Sequence, residues 1–324
     1  MTSHPGNMNP SDLNSSVTNR EIAMPREKRA DQYDSPGQLR PLVTIFAMPK
    51  PFGSETDLIQ RNAIRSWTQM SPDVEVLLIG EEDGIAETAA EFGIRHAGGL
   101  ELNSQGTPLV SSAFEIAHRE TDSPFLVYCN SDVILMQDFM RAIELLAEDK
   151  SFQQFVAFGQ RTDLRVDQQI DFEDKTDIEN LLTSCQTSGR LSTNACKEYF
   201  IFNRELFQEI PKFAIGRGNW DNWMIHSAKQ NKLAVVNLSE MVTVIHQDHS
   251  YGHTDAGRLE CYVSGNEARQ NQRLAGGRHL ISGSYGNWRL TPTGLVREKP
   301  LLLNPSFWSD IPRFMRLMMN LMVN

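Results

Sequence analysis

From Leu42 onward, short apolar runs alternate with segments whose apolar residues recur at helical spacing. Leu42–Ala47, Val74–Ile79, Ile94–Ala97, Phe125–Cys129 and Phe155–Phe158 have the length and composition of strands. Between them, Ile59, Ala63, Ile64 and Trp67 mark one helical stripe and Ile85, Ala89 and Phe92 a second. Leu109, Ala113, Phe114 and Ala117 mark a third within Pro108–Arg119, and Phe139, Ile143 and Leu146 a fourth within Gln137–Ala147. Strands that are apolar on both sides are buried on both faces, so the alternation predicts an α/β fold. A single Rossmann-like domain is expected, with a mainly parallel central sheet and helices on both faces. The second half is less regular. Glu198–Phe202, Val235–Val236 and Met241–Ile245 read as strands and Asn222–Gln230 as a helix. Residues 160–196 and 250–290 read as loops.

Composition narrows the function classes. The chain has 324 residues, 31 Lys+Arg against 41 Asp+Glu, and a formal net charge of −10. A protein that binds nucleic acid through its backbone needs a basic stripe, so no nucleic-acid partner is expected. A phosphorylated small ligand stays open, because a local pocket can oppose the global sign. Residues 1–40 are polar, carry five basic and five acidic side chains, and read as a disordered arm. The four cysteines form no CxxC pair and read as free thiols. No signal-peptide core and no run of about 18 apolar residues is present, so the expected location is cytoplasmic. Near the C-terminus, the helical spacing of Ile311, Phe314, Met315, Met318, Leu321 and Met322 predicts an amphipathic helix over 309–323. It either packs on the domain or makes a peripheral contact with a membrane or partner.

In open parallel sheets ligands sit at the carboxyl ends of the strands. Tyr128-Cys129-Asn130-Ser131-Asp132 ends the fourth strand there, and Asp132 could hold Mg²⁺ or Mn²⁺ or merely cap a turn. His246, His249 and His253 are three of the 8 histidines, within eight residues and directly after a strand. One imidazole could complete a site begun by Asp132. Asp221 lies between Trp220 and Trp223, ahead of a helical pattern. It is a helix N-cap, a general base or a ligand to a substrate hydroxyl, while the indoles either pack the core or face a sugar. Lys50, Arg61, Arg161 and Arg217 are cations near strand ends that could meet phosphate, Arg161 foremost. No P-loop, GxGxxG after the first strand, GxSxG or HExxH is present.

Leu42–Ala47 with Met48-Pro49-Lys50-Pro51-Phe52, Asn62 through Trp67, Leu78-Ile79-Gly80, Gly106 through Val110 and Asn130 through Leu135 resemble blocks of family-2-like glycosyltransferases with the A-type nucleotide-diphospho-sugar (GT-A) fold. Gly159-Gln160-Arg161, Tyr199–Phe202, Gly216 through Trp223 and His246 through Tyr251 follow in the same order. The resemblance implies a GT-A domain over 41–255, leaving the arm 1–40 and a C-terminal extension 256–324. It implies a nucleoside diphosphate-sugar donor, an unspecified acceptor and a divalent cation (Mn²⁺ or Mg²⁺). Asp132 would match the last acid of the family's DxD motif, with Asn130 in place of the first, an NxD variant. His246 or His249 would match the C-terminal metal ligand, and Asp221 the acid that deprotonates the acceptor in inverting members. Donor contacts would fall to Lys50, Asn130, Asp132, Arg161 and Arg217, and sugar or acceptor contacts to Trp220 and Trp223. Two alternatives stand beside this one: a non-catalytic nucleotide-sugar-binding protein, and a sugar-phosphate nucleotidyltransferase. The latter is disfavoured by the absence of a Gly-rich loop after the first strand.

Overall fold

A computed structural model describes residues 40–53, 56–193, 196–249, 260–277 and 286–298. The arm up to residue 39, His253 and the amphipathic segment 309–323 lie outside the described residues. The element order is β1 (Val43–Ala47), α1 (Asp57–Thr68), β2 (Val74–Ile79), α2 (Ile85–Phe92), β3 (Arg95–Ala97), α3 (Val110–Glu120), β4 (Phe125–Cys129), β5 (Val133–Leu135) and α4 (Gln137–Glu148). There follow β6 (Phe155–Phe158), β7 (Thr162–Leu164), α5 (Lys175–Ser188), β8 (Arg190–Leu191), β9 (Tyr199–Asn203), α6 (Trp220–Gln230), β10 (Ala234–Asn237) and β11 (Val244–Gln247). A π-helical turn (Glu260–Ser264), α7 (Asn266–Leu274), β12 (Trp288–Thr291) and β13 (Gly294–Arg297) complete the described residues.

The main sheet has nine strands in the order β13-β12-β10-β6-β9-β4-β1-β2-β3. β9 runs antiparallel between β4 and β6, β13 is antiparallel to β12, and the other pairings are parallel. Strand residues alternate between two cores. Val43, Ile45 and Ala47 of β1 join α1, α2 and α4 on one face, while Phe46 joins α3 and α6 on the other. The expected α/β architecture with helices on both faces is therefore present. Among the described residues no helix is long and apolar enough to cross a membrane.

A second sheet, β5-β11-β7-β8, takes β7 and β8 from the segment 160–196 that the sequence predicts as loop. Helix α5 packs on it through Ile178, Leu181, Leu182 and Cys185, and Asp174 caps the helix by accepting from the Thr176 N–H. Strand β11 starts later than the apolar run suggests. The Met241 and Val242 N–H groups close a turn onto the Leu238 carbonyl, which carries the strand on through His246 and Gln247. In the segment read as loops, 250–290, α7 forms and β12 begins, and β13 beyond it completes the extension of the main sheet.

Helix α1 ties the two sheets together. Trp67 donates from Nε1 to the Val133 carbonyl at 3.0 Å, and the Leu135 N–H donates to Ser66 Oγ at 3.2 Å. Asn62, wholly buried, donates to the Gln168 carbonyl and to Gln247 Oε1 and accepts from the Ile170 N–H. Removing one partner from such a set leaves the others desolvated and unpaired. Asn62→Leu, similar in volume, is therefore expected to cost roughly 2–4 kcal/mol of stability, read as a lowered urea midpoint. An unchanged midpoint would show that α1 does not anchor the small sheet in this way.

Candidate active site

The chain leaves β1 toward β2 and β3, whereas β4 lies on the other side of β1. The loops after β1 and β4 therefore diverge and open a crevice at the carboxyl edge of the sheet, the topological switch point of such folds. Lys50 follows β1, and Asn130 through Asp132 follow β4. Buried Gln60 of α1 clamps the two loops. Its Oε1 accepts from the Lys50 N–H at 2.7 Å and from Ser131 Oγ at 2.9 Å, and its Nε2 donates to the Lys50 carbonyl at 3.0 Å.

Asp132 occupies the short turn between β4 and β5, and β5 pairs antiparallel with β11. That pairing brings His246 and His249 to it. Asp132 Oδ2 is 3.2 Å from His249 Nε2 and 3.6 Å from His246 Nε2. The Gln247 N–H holds the Asp132 carbonyl at 3.1 Å and fixes the turn. Burial pushes the Asp132 carboxyl up, but the hydrogen bonds and charges of the two imidazoles outweigh it and hold the group well below the ordinary aspartate range. Burial alone would lower His246; Asp132 and Asp163 instead raise it to about 10. Asp132 Oδ1 is buried and has no hydrogen-bond partner. One hard oxygen, two borderline nitrogens and an orphaned carboxylate oxygen, with one ligand atom from each residue within 4.8 Å of the others, fit a divalent cation.

Beside this triad lies a buried network of charges. β9 is antiparallel to β4, so the residue preceding it, Glu198, faces Asn130, whose N–H donates to the Glu198 carbonyl at 2.9 Å. Asn130 Nδ2 donates to Glu198 Oε2, and the Tyr128 hydroxyl donates to Asn130 Oδ1 at 2.6 Å. Both polar ends of Asn130 are thus engaged within the protein. Arg161 donates to Glu198 Oε1 through one terminal nitrogen, and its Nε lies 2.8 Å from Asp163 Oδ1. Arg217 is paired with Glu267 of α7 at 2.6 Å. Two of the expected donor-binding cations therefore face protein carboxylates. Lys50 stands in the field of Asp132: burial lowers its ammonium and the carboxylate partly restores it.

Helix α6 begins at Trp220, two residues earlier than the sequence predicts. Asn219 (φ +81°) is its N-cap, in a left-handed conformation that Asn tolerates, so Asp221 lies in the first turn and is not the cap. Burial raises the Asp221 carboxyl, and the nearby Lys197 ammonium partly offsets it. Lys197 is itself buried. It donates to Asn222 Oδ1 at 3.1 Å and lies 5.6 Å from the centre of the Phe158 ring. The indoles pack inward. Trp220 is 7% exposed and meets Tyr128 edge-on at 4.9 Å, and Trp223 lies 5.4 Å from Phe213.

Lys197, Glu198 and Asp163 did not stand out in the sequence. A signal existed for the first two. A charged pair directly before the apolar run Tyr199–Phe202 lies at the amino end of a strand, which in an antiparallel insertion falls at the same sheet edge as the carboxyl ends of its parallel neighbours.

The Asn130 bridge makes a neutral side chain at this position a requirement of the surroundings. Asn130→Asp would set a second carboxylate against Glu198 in a buried place. It is expected to lower stability by about 2–4 kcal/mol at neutral pH without tightening Mn²⁺ binding. The loss should shrink as the pH falls and one of the two carboxyls takes a proton. Thermal melts across pH and a Mn²⁺ titration check this; tighter Mn²⁺ binding at unchanged stability would contradict it.

No protein-family model and no curated protein matches the chain. Solved structures that the chain matches include glucosyl-3-phosphoglycerate synthase from Mycobacterium tuberculosis in complex with Mn²⁺, uridine diphosphate and phosphoglyceric acid. The identity is 13% and the TM-score 0.43, over 73% of this chain and 79% of that one. The same synthase with Mg²⁺ and uridine diphosphate matches at 14% identity and a TM-score of 0.42, over 73% of this chain and 80% of that one. A mannosyltransferase from Pyrobaculum calidifontis in complex with GDP-Man and Mn²⁺ matches at 16% identity and a TM-score of 0.41, over 70% of this chain and 62% of that one.

Proposed function

We propose that the chain is a glycosyltransferase that moves a sugar from a nucleoside diphosphate-sugar to an acceptor hydroxyl, with inversion and with the help of a divalent cation. The observation that carries this reading is a carboxylate with an orphaned oxygen facing two imidazoles at the switch-point crevice, with a second acid, Asp221, in the same surroundings. The buried Tyr128 hydroxyl connects them, since it lies in the fields of Glu198, Asp132 and Asp221 together.

Asp132, His246 and His249 would hold the cation. When bound, it supplies positive charge for the diphosphate leaving group. Lys50 adds charge at the neighbouring loop. Arg161 and Arg217, each tied to a carboxylate, act through their fields and by holding the loops that carry them. Asp221 accepts the proton of the acceptor hydroxyl as its oxygen bonds to the anomeric carbon and the bond to the diphosphate breaks. Burial makes Asp221 a stronger base, and the Lys197 ammonium partly offsets the rise in favour of the ionised form. A single base suffices for one in-line displacement, which inverts the anomeric centre. Trp220 supports the Tyr128 ring beneath the site.

Release of nucleoside diphosphate from UDP- or GDP-sugars in the presence of Mn²⁺ tests the reading directly. Asp221→Asn is expected to reduce kcat by about 10²–10⁴-fold while the donor still raises the melting temperature. If no nucleotide-sugar shifts the melting temperature and none is turned over, the glycosyltransferase reading falls. Binding without turnover in the wild type would favour the non-catalytic alternative. Because the base must be ionised and its pKa is raised, activity should be lost on the acid side at a pH above the ordinary aspartate range.

The cation site carries its own expectation. Imidazole nitrogens favour Mn²⁺ over Mg²⁺, so Mn²⁺ should bind more tightly. With His246 raised to about 10, the metal must displace its proton. Affinity for Mn²⁺ should therefore rise by up to about tenfold per pH unit across neutral pH. Calorimetric titrations in buffers of different ionisation enthalpy report both the affinity and the proton released; a pH-independent affinity with no proton release would contradict this.

A further inference from the structure

We propose that Asp163, held by Arg161, is the positioning residue that fixes the orientation and tautomer of His246. The inference rests on the reading of Asp132, His246 and His249 as a cation site. His246 and Asp163 are register partners across the parallel β11–β7 pair, and both are buried. His246 Nδ1 lies 3.1 Å from Asp163 Oδ1, while the opposite nitrogen, Nε2, faces Asp132 Oδ2 at 3.6 Å. The contact at Nδ1 is close in distance but turned off the ideal hydrogen-bond line, and Nδ1 has no other hydrogen-bond partner. A lone pair on Nδ1 would point at a carboxylate. The neutral ring that binds a metal must therefore carry its proton on Nδ1 and keep Nε2 for the cation.

Asp163 is suited to this task because its own position is fixed. Arg161 Nε lies 2.8 Å from the same Oδ1, and Arg190 donates to Oδ2 at 3.4 Å. Arg161 is in turn held by Glu198. A chain of alternating charge thus runs from Glu198 through Arg161 to Asp163 and ends on the imidazole. Asp163, His246 and Asp248 could be drawn as a second cation site. The Arg161 guanidinium at Asp163 Oδ1 argues against that, since a cation there would meet a positive charge. Asp163 therefore acts on the metal through His246.

Mn²⁺ affinity of the full chain, measured by titration calorimetry, tests the role. Asp163→Ala is expected to weaken binding by about 10–100-fold. Asp163→Asn, whose side-chain oxygen can still accept from Nδ1–H, should recover part of the loss. In the Zn²⁺-loaded wild type, ¹⁵N NMR of the histidine side chains should show His246 protonated at Nδ1 and metallated at Nε2. A His246 ring metallated at Nδ1 overturns the proposal, whether or not Asp163→Ala folds. So does an Asp163→Ala protein that binds Mn²⁺ within twofold of a wild type that binds it. A wild type that binds no Mn²⁺ overturns the cation reading itself, an outcome distinct from the failure of Asp163 alone.

Discussion

The site depends on the compensation of buried negative charge. Asp132, Asp163, Glu198 and Asp221 gather at one edge of the sheet in a chain whose net charge is already −10. Carboxylates in such a place must be paired or take up protons. Arg161 links two of them, Lys197 faces a third, and His246 lies between Asp132 and Asp163. Each cation comes from a different stretch of chain, so the charge balance also sets how the loops sit. The exception is the orphaned oxygen of Asp132, where the internal partners stop and a ligand can begin.

This arrangement changes how Asn130 is understood. Read along the chain, Asn130 looks like a weakened metal motif. In the folded protein it is a neutral bridge between a phenol and a carboxylate, in a place that tolerates no further negative charge. On the cation reading, His249, 3.2 Å from Asp132, would supply a ligand that a carboxylate at 130 does not.

How much of this could be read from the sequence varied with the kind of burial. The parallel strands of the first half are apolar on both faces, so β1, β2, β4 and β6 were legible to within a residue. The small sheet was not: β7 and β8 have three and two residues, too short for any period to show. The α5 stripe of Ile178, Leu181, Leu182 and Cys185 has helical spacing, but it is narrow and set among polar residues. At the site, Asp132 and the His246–His249 pair were visible because they directly follow apolar runs in the sequence. Glu198 and Asp163 were not, because their roles come from pairings between distant segments: Glu198 meets Asn130 across 68 positions. Nothing local in the sequence encodes that register.

The antiparallel β9 has a consequence for how the protein is made. Strand β4 ends at residue 129 and β6 at 158, yet the strand that lies between them begins only at 199. Until that segment leaves the ribosome, β4 and β6 each present an unpaired apolar edge, open to non-native pairing. Lys197 and Glu198 directly precede this late strand, so its pairing with β4 and β6 also brings that charged pair to the crevice. Asp132 meets its imidazoles only once His246 and His249 have been made, more than a hundred residues later, so cotranslational folding cannot finish the site from the N-terminal half alone.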